Sequence, residues 1–219
     1  MNEDEKKDIS DLYVSHQENN TNWSQPEKLP FCTNLYSEST PFVAADGMTL
    51  YFSSDRPGGY GSSDIWMTRR LDDTWLKWSE PVNLGPSINT PNWDAYYTVP
   101  ATGKFAYMVS TDPKGFGGTD LIRIELVPEN RPKPVVLITG KVLDAKTGKP
   151  VQAAISYFKL PEGTEAGIAT TTPGTGEYQI VLPQGHQYGF KADAAGYYAI
   201  SENIDLRELK DYREIKRDL

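Results

Sequence analysis

Few side chains in this sequence are equipped for covalent chemistry, and they are Cys32, His16 and His186. A catalytic thiol needs an imidazole beside it, and neither histidine lies in a recognisable cysteine-enzyme signature. Cys32 is the only cysteine, so no intramolecular disulfide can form. It reads as a small buried hydrophobe. A serine hydrolase of the elbow type would need G-x-S-x-G, which does not occur. His186 lies in the run Gln184, Gly185, His186, Gln187, which reads as a surface turn with nothing to orient a base. One cysteine and two distant histidines do not make a zinc centre. The sequence therefore assigns no catalytic residue and no metal ligand.

Oxygen and aromatic groups offer more. Asp55 and Asp64 bracket one glycine-rich loop, and Asp112 and Asp120 bracket another. Calcium takes hard oxygen ligands of this kind, although the EF-hand spacing is absent. Calcium is the one cofactor left open. The preferred reading is structural: Asp55, Asp64, Asp112 and Asp120 accept backbone N–H groups and lock their loops. Among the five tryptophans, Trp23 and Trp78 recur at a fixed period, as packing positions do. Trp75 and Trp93 have no aromatic counterpart at that period. Trp93 is flanked by Asn92 and Asp94, an apolar plate with polar handles, and Tyr96 and Tyr97 follow. Trp75, Trp93, Asp94, Tyr96 and Tyr97 are thus the candidates for contact with a ligand or partner, a sugar ring being one such ligand.

The bulk properties narrow the partners. The 219 residues carry a net charge of −8, with no run of Lys and Arg, so nucleic acid is excluded as a partner. An aromatic content of 11% supplies enough apolar surface for a core. No apolar run of about 18 residues is present, so no helical membrane span is expected. The opening residues are acidic and lysine-rich with no apolar h-region, unlike a secretory leader. Either the protein is cytoplasmic or this is a fragment without its leader, and the repeat pattern favours a fragment.

What must position the candidate residues is a repeat. NWSQPEKL beginning at Asn22 matches KWSEPVNL beginning at Lys77, so Trp23, Pro26 and Leu29 correspond to Trp78, Pro81 and Leu84. Gly47, Tyr51 and Asp64 correspond to Gly103, Tyr107 and Asp120 at an offset of 56. A period near 50 marks a small unit that buries its apolar faces against its own copies. Each copy holds short β-favouring segments separated by turns, as in residues 49–52 and 64–68. Asp46 with Gly47, and Thr102 with Gly103, are hairpin signals. Residues 10–14 align with residues 63–67, so the chain opens inside a third unit. The expected fold is all-β: a partial β-propeller of two blades plus part of a third, over residues 1–126, joined to a six- or seven-stranded β-sandwich.

Residues 127–134, VPENRPKP, read as an extended, semi-rigid spacer. Beyond it, residues 135–219 alternate apolar and polar positions between regular turns, which fits a sandwich. The tail is ambiguous. Leu206, Leu209, Tyr212 and Ile215 have near-helical spacing, whereas residues 213–219 alternate. A short turn and a closing strand are preferred.

Two resemblances can be stated on these residues. The run Asp46-Gly-Met-Thr-Leu-Tyr-Phe-Ser-Ser-Asp55-Arg-Pro-Gly-Gly59, with Gly61-Ser-Ser-Asp64-Ile-Trp66, resembles TolB-type, WD-like β-propeller repeats over residues 10–126. The second copy departs at Thr111-Asp112-Pro113. The run Gly140-Lys-Val-Leu-Asp144-Ala-Lys-Thr-Gly148-Lys-Pro150, with Gly176-Glu-Tyr178 and Gly196-Tyr197, resembles the carboxypeptidase regulatory-like, transthyretin-like domain. Such domains are accessory and carry no catalytic residues. The order of modules is similar to that of OmpA-like envelope lipoproteins of the Bacteroidetes type. The resemblance implies a periplasmic, outer-membrane-associated scaffold whose partners are envelope proteins or secretion and motility complexes. Peptidoglycan would be reached only through a C-terminal domain, and nothing resembling one is in this sequence. A carbohydrate-binding module and the accessory propeller of a larger hydrolase are the alternatives.

Overall fold

Turn dipeptides and alternating apolar residues make strands throughout the described residues. A computed structural model describes residues 9–19, 21–111 and 115–219. Asp112 lies outside the described residues. The fold is all-β, with several sheets, no closed barrel and a single 3₁₀ turn among the described residues. The chain divides into two units, Met1–Pro132 and Lys133–Leu219.

In the first unit β1 (Tyr13–Val14) and β2 (Glu27–Lys28) form a two-stranded ribbon. β3 (Glu38–Val43), β4 (Thr49–Ser54), β5 (Asp64–Arg69) and β6 (Val82–Asn83) follow as a four-stranded antiparallel sheet in chain order. β7 (Asp94–Thr98), β8 (Phe105–Ser110) and β9 (Asp120–Glu125) form a three-stranded sheet.

The second sheet copies the first at an offset of 56. Thr49 and Ser54 at the ends of β4 become Phe105 and Ser110 at the ends of β8, and Asp64 and Arg69 become Asp120 and Glu125. The first hairpin of each sheet carries a bulge at the same register, between Ser39 and Phe42 and between Ala95 and Thr98. Thr40 and Tyr96, inside those bulges, both have positive φ, 46° and 54°. Gly47 and Gly103 close the hairpins at φ 65° and 66°, where glycine avoids the cost a Cβ would carry. The ribbon copies the end of a sheet: Tyr13 faces Lys28 as Trp66 faces Asn83.

Alternation along β4 explains why all six of its residues are buried. Leu50 and Phe52 pack with Leu12, Leu29 and Cys32, which flank the ribbon strands, together with Trp66. Tyr51, from the opposite face, packs with Ile65, Tyr97, Ala106 and Met108 toward the next sheet. Sheet-to-sheet spacing is fixed by a recurring backbone bond. The Glu38 N–H donates to Ser10 O (2.7 Å), and the Asp94 N–H donates to Ser63 O (2.9 Å).

Gly61 lies at this second junction. A Cβ there would stand 2.3 Å from Asn92 O and 2.4 Å from Thr90 O, both backbone atoms that cannot swing away. Gly61→Ala is therefore expected to cost about 1–3 kcal/mol, as overpacking does. Chemical denaturation would register the cost, and an unchanged midpoint would refute the close approach.

Residues 127–134 do not run as the extended spacer the prolines suggest. Pro128–Asn130 is a 3₁₀ turn with proline where a free N–H is not needed. Tyr51 Oη donates to Asn130 O (2.9 Å), Arg69 Nη2 to Arg131 O (3.3 Å) and Arg131 Nε to Leu126 O (2.9 Å). These donors hold the segment against the first unit up to Arg131.

The second unit holds β10 (Val135–Lys141), β11 (Ala154–Leu160), β12 (Thr164–Thr170), β13 (Glu177–Pro183), β14 (Gln187–Asp193), β15 (Ile200–Asp205) and β16 (Arg213–Lys216). One sheet has the order β13-β10-β16, the other β12-β11-β14-β15. Both contribute to one apolar core: Val136, Ile138, Ile180 and Leu182 from the first, Ile155, Tyr188 and Ala192 from the second. The tail closes the first sheet as a strand, with β16 parallel to β10. Gly140 makes this closure fit, because a Cβ there would lie 1.7 Å from Arg217 O.

Candidate functional site

The repeat identifies the most unusual surface of the first unit. Paired residues on β8 and β9 share a face, so Tyr107 with Arg123 and Val109 with Leu121 point the same way. Their counterparts in the preceding sheet are covered. Tyr51 and Ile65 are 0% exposed, whereas Tyr107 is 36% and Leu121 75% exposed. Met67 is replaced by Arg123, whose guanidinium lies 4.9 Å from the Phe105 ring centroid. Aromatic, aliphatic and arginine side chains together make the composition that protein interfaces favour. Phe116, in the loop before β9, is also fully exposed.

The sequence-selected aromatic residues do not gather into one site. Trp93 is half-buried and meets exposed Tyr96 edge-on, with centroids 5.9 Å apart. Trp75 belongs to a separate cluster: it meets Trp78 at 5.9 Å, carries Arg70 at 4.6 Å from its ring, and accepts the Trp78 Nε1–H at its carbonyl (2.6 Å). Tyr97 is not a surface contact. It is 1% exposed and packs on Tyr51 with centroids 4.9 Å apart, and burial pushes its phenol pKa up.

Asp94 is likewise no handle for a ligand, being fully buried. Its carboxylate accepts the Thr90 N–H (2.6 Å) and the Thr90 hydroxyl (3.1 Å). Burial raises its pKa, against the opposing effect of the hydrogen bonds from Ser110 and Thr90. Adjacency to Trp93 in sequence does not bring Asp94 to the surface, since successive strand residues face opposite sides. A usable signal was present: Asp64 accepts the N–H of Tyr60 (2.5 Å) and Asp120 that of Phe116 (3.1 Å), each four residues earlier, as in Thr90 and Asp94. Asp55 accepts the Ser37 N–H at 2.8 Å.

Trp23 departs from the packing role expected of it and is 60% exposed. Trp78 is covered by Phe31, which precedes its own sheet, with centroids 5.9 Å apart.

Sequence reasoning missed a buried polar cluster at the ribbon. Glu38, 1% exposed, accepts a hydrogen bond from Arg56 Nη2 at 2.8 Å. The Arg56 guanidinium also lies 5.0 Å from the Phe52 ring centroid and 5.4 Å from that of Trp66. Burial raises the Glu38 pKa despite Arg56. Cys32 is buried beside it, its thiol pKa pushed up to about 12 by desolvation, and its Sγ accepts the Leu12 N–H at 3.4 Å. Asp11 pairs with Lys28 at 2.8 Å. The only signal in the sequence was the offset of 56, which makes Glu38 the counterpart of Asp94.

Among the described residues no helix is long and apolar enough to cross a membrane. No protein-family model and no curated protein matches the chain. Solved structures give low likenesses. The dioxygenase domain of a dioxygenase carbohydrate-binding protein fusion from the cellulolytic bacterium Streptomyces sp. SirexAA-E is 15% identical, with a TM-score of 0.30 over 42% of this chain and 82% of that one. The Bacillus anthracis TIE protein is 12% identical, with a TM-score of 0.33 over 72% and 28%. The group B streptococcus pilus 2b backbone protein is 9% identical, with a TM-score of 0.30 over 84% and 97%. Likenesses at this level assign this chain neither a fold family nor an activity.

Proposed function

We propose that this chain is a non-enzymatic protein-interaction scaffold of a bacterial envelope. Its first unit is read as consecutive blades of a TolB-type propeller, and its second as a regulatory-like β-sandwich acting as a spacer. The order of modules supports the wider reading of a periplasmic, outer-membrane-associated protein of the OmpA-like type. One observation carries the interaction role. Tyr107 and Leu121 are exposed at positions whose copies, Tyr51 and Ile65, are wholly covered by a neighbouring sheet. A face built to the pattern of a buried one, with an arginine added, suits a protein partner better than open solvent.

Site-specific photocrosslinking in envelope preparations tests this. Probes at Tyr107 and Leu121 should capture the same protein partner, while a probe at exposed Leu71 should not. Equal labelling at all three positions would remove the basis for the proposal. The pair of half-buried Trp93 and exposed Tyr96 supports a second reading, binding of glycans by stacking. Glycan binding that disappears in Trp93→Ala, without protein crosslinks at Leu121, would favour it.

A further inference from the structure

The buried cluster beside the ribbon has a feature that neither packing nor the scaffold role explains. Asp11 and Glu38 each spend one carboxylate oxygen on a cation, Oδ2 on Lys28 Nζ and Oε1 on Arg56 Nη2, both at 2.8 Å. The second oxygen of each, Asp11 Oδ1 and Glu38 Oε2, is buried without a strong hydrogen-bond donor, and what Glu38 meets on this side is the Cys32 thiol, a weak one. A buried carboxylate oxygen without a strong partner costs free energy and calls for one. Cys32 stands between them in sequence and beside them in space. One ligand atom from each of Asp11, Cys32 and Glu38 falls within 4.8 Å of the others.

The geometry points to a metal site at Asp11, Cys32 and Glu38 for a borderline divalent transition-metal ion, with Zn²⁺ as the ion that fits best. The donor set decides the class. One sulfur and two carboxylates suit a borderline ion, whereas calcium and magnesium require six or more oxygens. Three protein ligands with a further position for water is an established zinc arrangement. Binding replaces the Cys32 S–H bond by a metal–sulfur bond and releases the proton to solvent, so the site gains one positive charge rather than two. Asp11 precedes β1, Cys32 follows β2 and Glu38 opens β3. An ion held by all three would tie the ribbon to the four-stranded sheet. A two-stranded ribbon has little stability of its own, and ligand binding to the folded state adds to it.

Co²⁺ titration of the full chain tests the proposal, because cobalt reports a thiolate ligand by a charge-transfer absorption. One equivalent should bind with that absorption, Zn²⁺ should abolish it by displacement, and Zn²⁺ should raise the melting temperature. Cys32→Ser should lose the absorption. Glu38→Gln should weaken binding at least as much as the roughly 10–100-fold that outer-shell changes cost. His16→Ala and His186→Ala should leave binding unchanged. The proposal fails if the wild type shows no thiolate absorption, or if Cys32→Ser retains it. If Cys32→Ser does not fold, X-ray absorption on the zinc-loaded wild type decides. A sulfur neighbour at about 2.3 Å supports the site, and a shell of light atoms alone overturns it.

Discussion

Arg56→Ala should cost about 3–5 kcal/mol of folding stability, the range for removing one partner of a buried ion pair. The Glu38 side chain is 0% exposed and that of Arg56 12%, so water cannot replace the guanidinium. The loss reaches past one ion pair. Arg56 Nη2 also donates to Phe31 O at 3.3 Å, and its guanidinium packs among the Phe31, Phe52 and Trp66 rings. Urea titration with a chelator present would measure the change apart from any metal. The double variant Arg56→Met with Glu38→Gln removes the stranded charge and fills the space, so most of the stability should return. A cost of less than about 1 kcal/mol for Arg56→Ala would mean that the Glu38 carboxyl is held in some other way.

Tyr51→Ala should cost a similar amount, about 3–5 kcal/mol, as large aromatic truncations in cores do. Tyr51 is fully buried between two sheets, packs against the Tyr97 ring at a 47° tilt, and gives its hydroxyl to Asn130 O. Tyr107, its copy at an offset of 56, occupies the same strand position with its face open. Tyr107→Ala should change stability by only about 0.5 kcal/mol. The pair of variants isolates what a neighbouring sheet contributes, since residue type and backbone setting are alike. Comparable losses at the two sites would show that stacking between sheets is not what stabilises the first unit. Where a partner covers Tyr107, the same substitution should weaken binding instead.

Much of this architecture was legible because it is written twice. Trp23 with Trp78, Gly47 with Gly103 and Asp64 with Asp120 give the period, and the strands follow it residue by residue. The strand β13 was equally readable, since Tyr178, Ile180 and Leu182 alternate with outward-facing neighbours. β15, by contrast, carries few apolar residues and was not anticipated; it is held as an edge strand by pairing with β14. The site was less legible than the fold. Asp94 and Tyr97 looked like surface groups beside Trp93, but the bulge at Ala95 and Thr98 sets which residues turn inward, and a bulge leaves little trace in composition. Asp11, Cys32 and Glu38 are brought together only by the docking of the ribbon on the next sheet. Nothing local in these three separate segments announces that they meet.

The pairing of β16 with β10 bears on how the second unit would respond to force. Val136 to Thr139 run alongside Arg213 to Lys216 in the same direction. A pull applied between the start of β10 and the end of β16 therefore loads their ladder lengthwise. Every rung resists at once, whereas an antiparallel pair pulled from adjacent ends would unzip one rung at a time. A module wired in this way can carry tension between whatever is joined to its two ends without being peeled open.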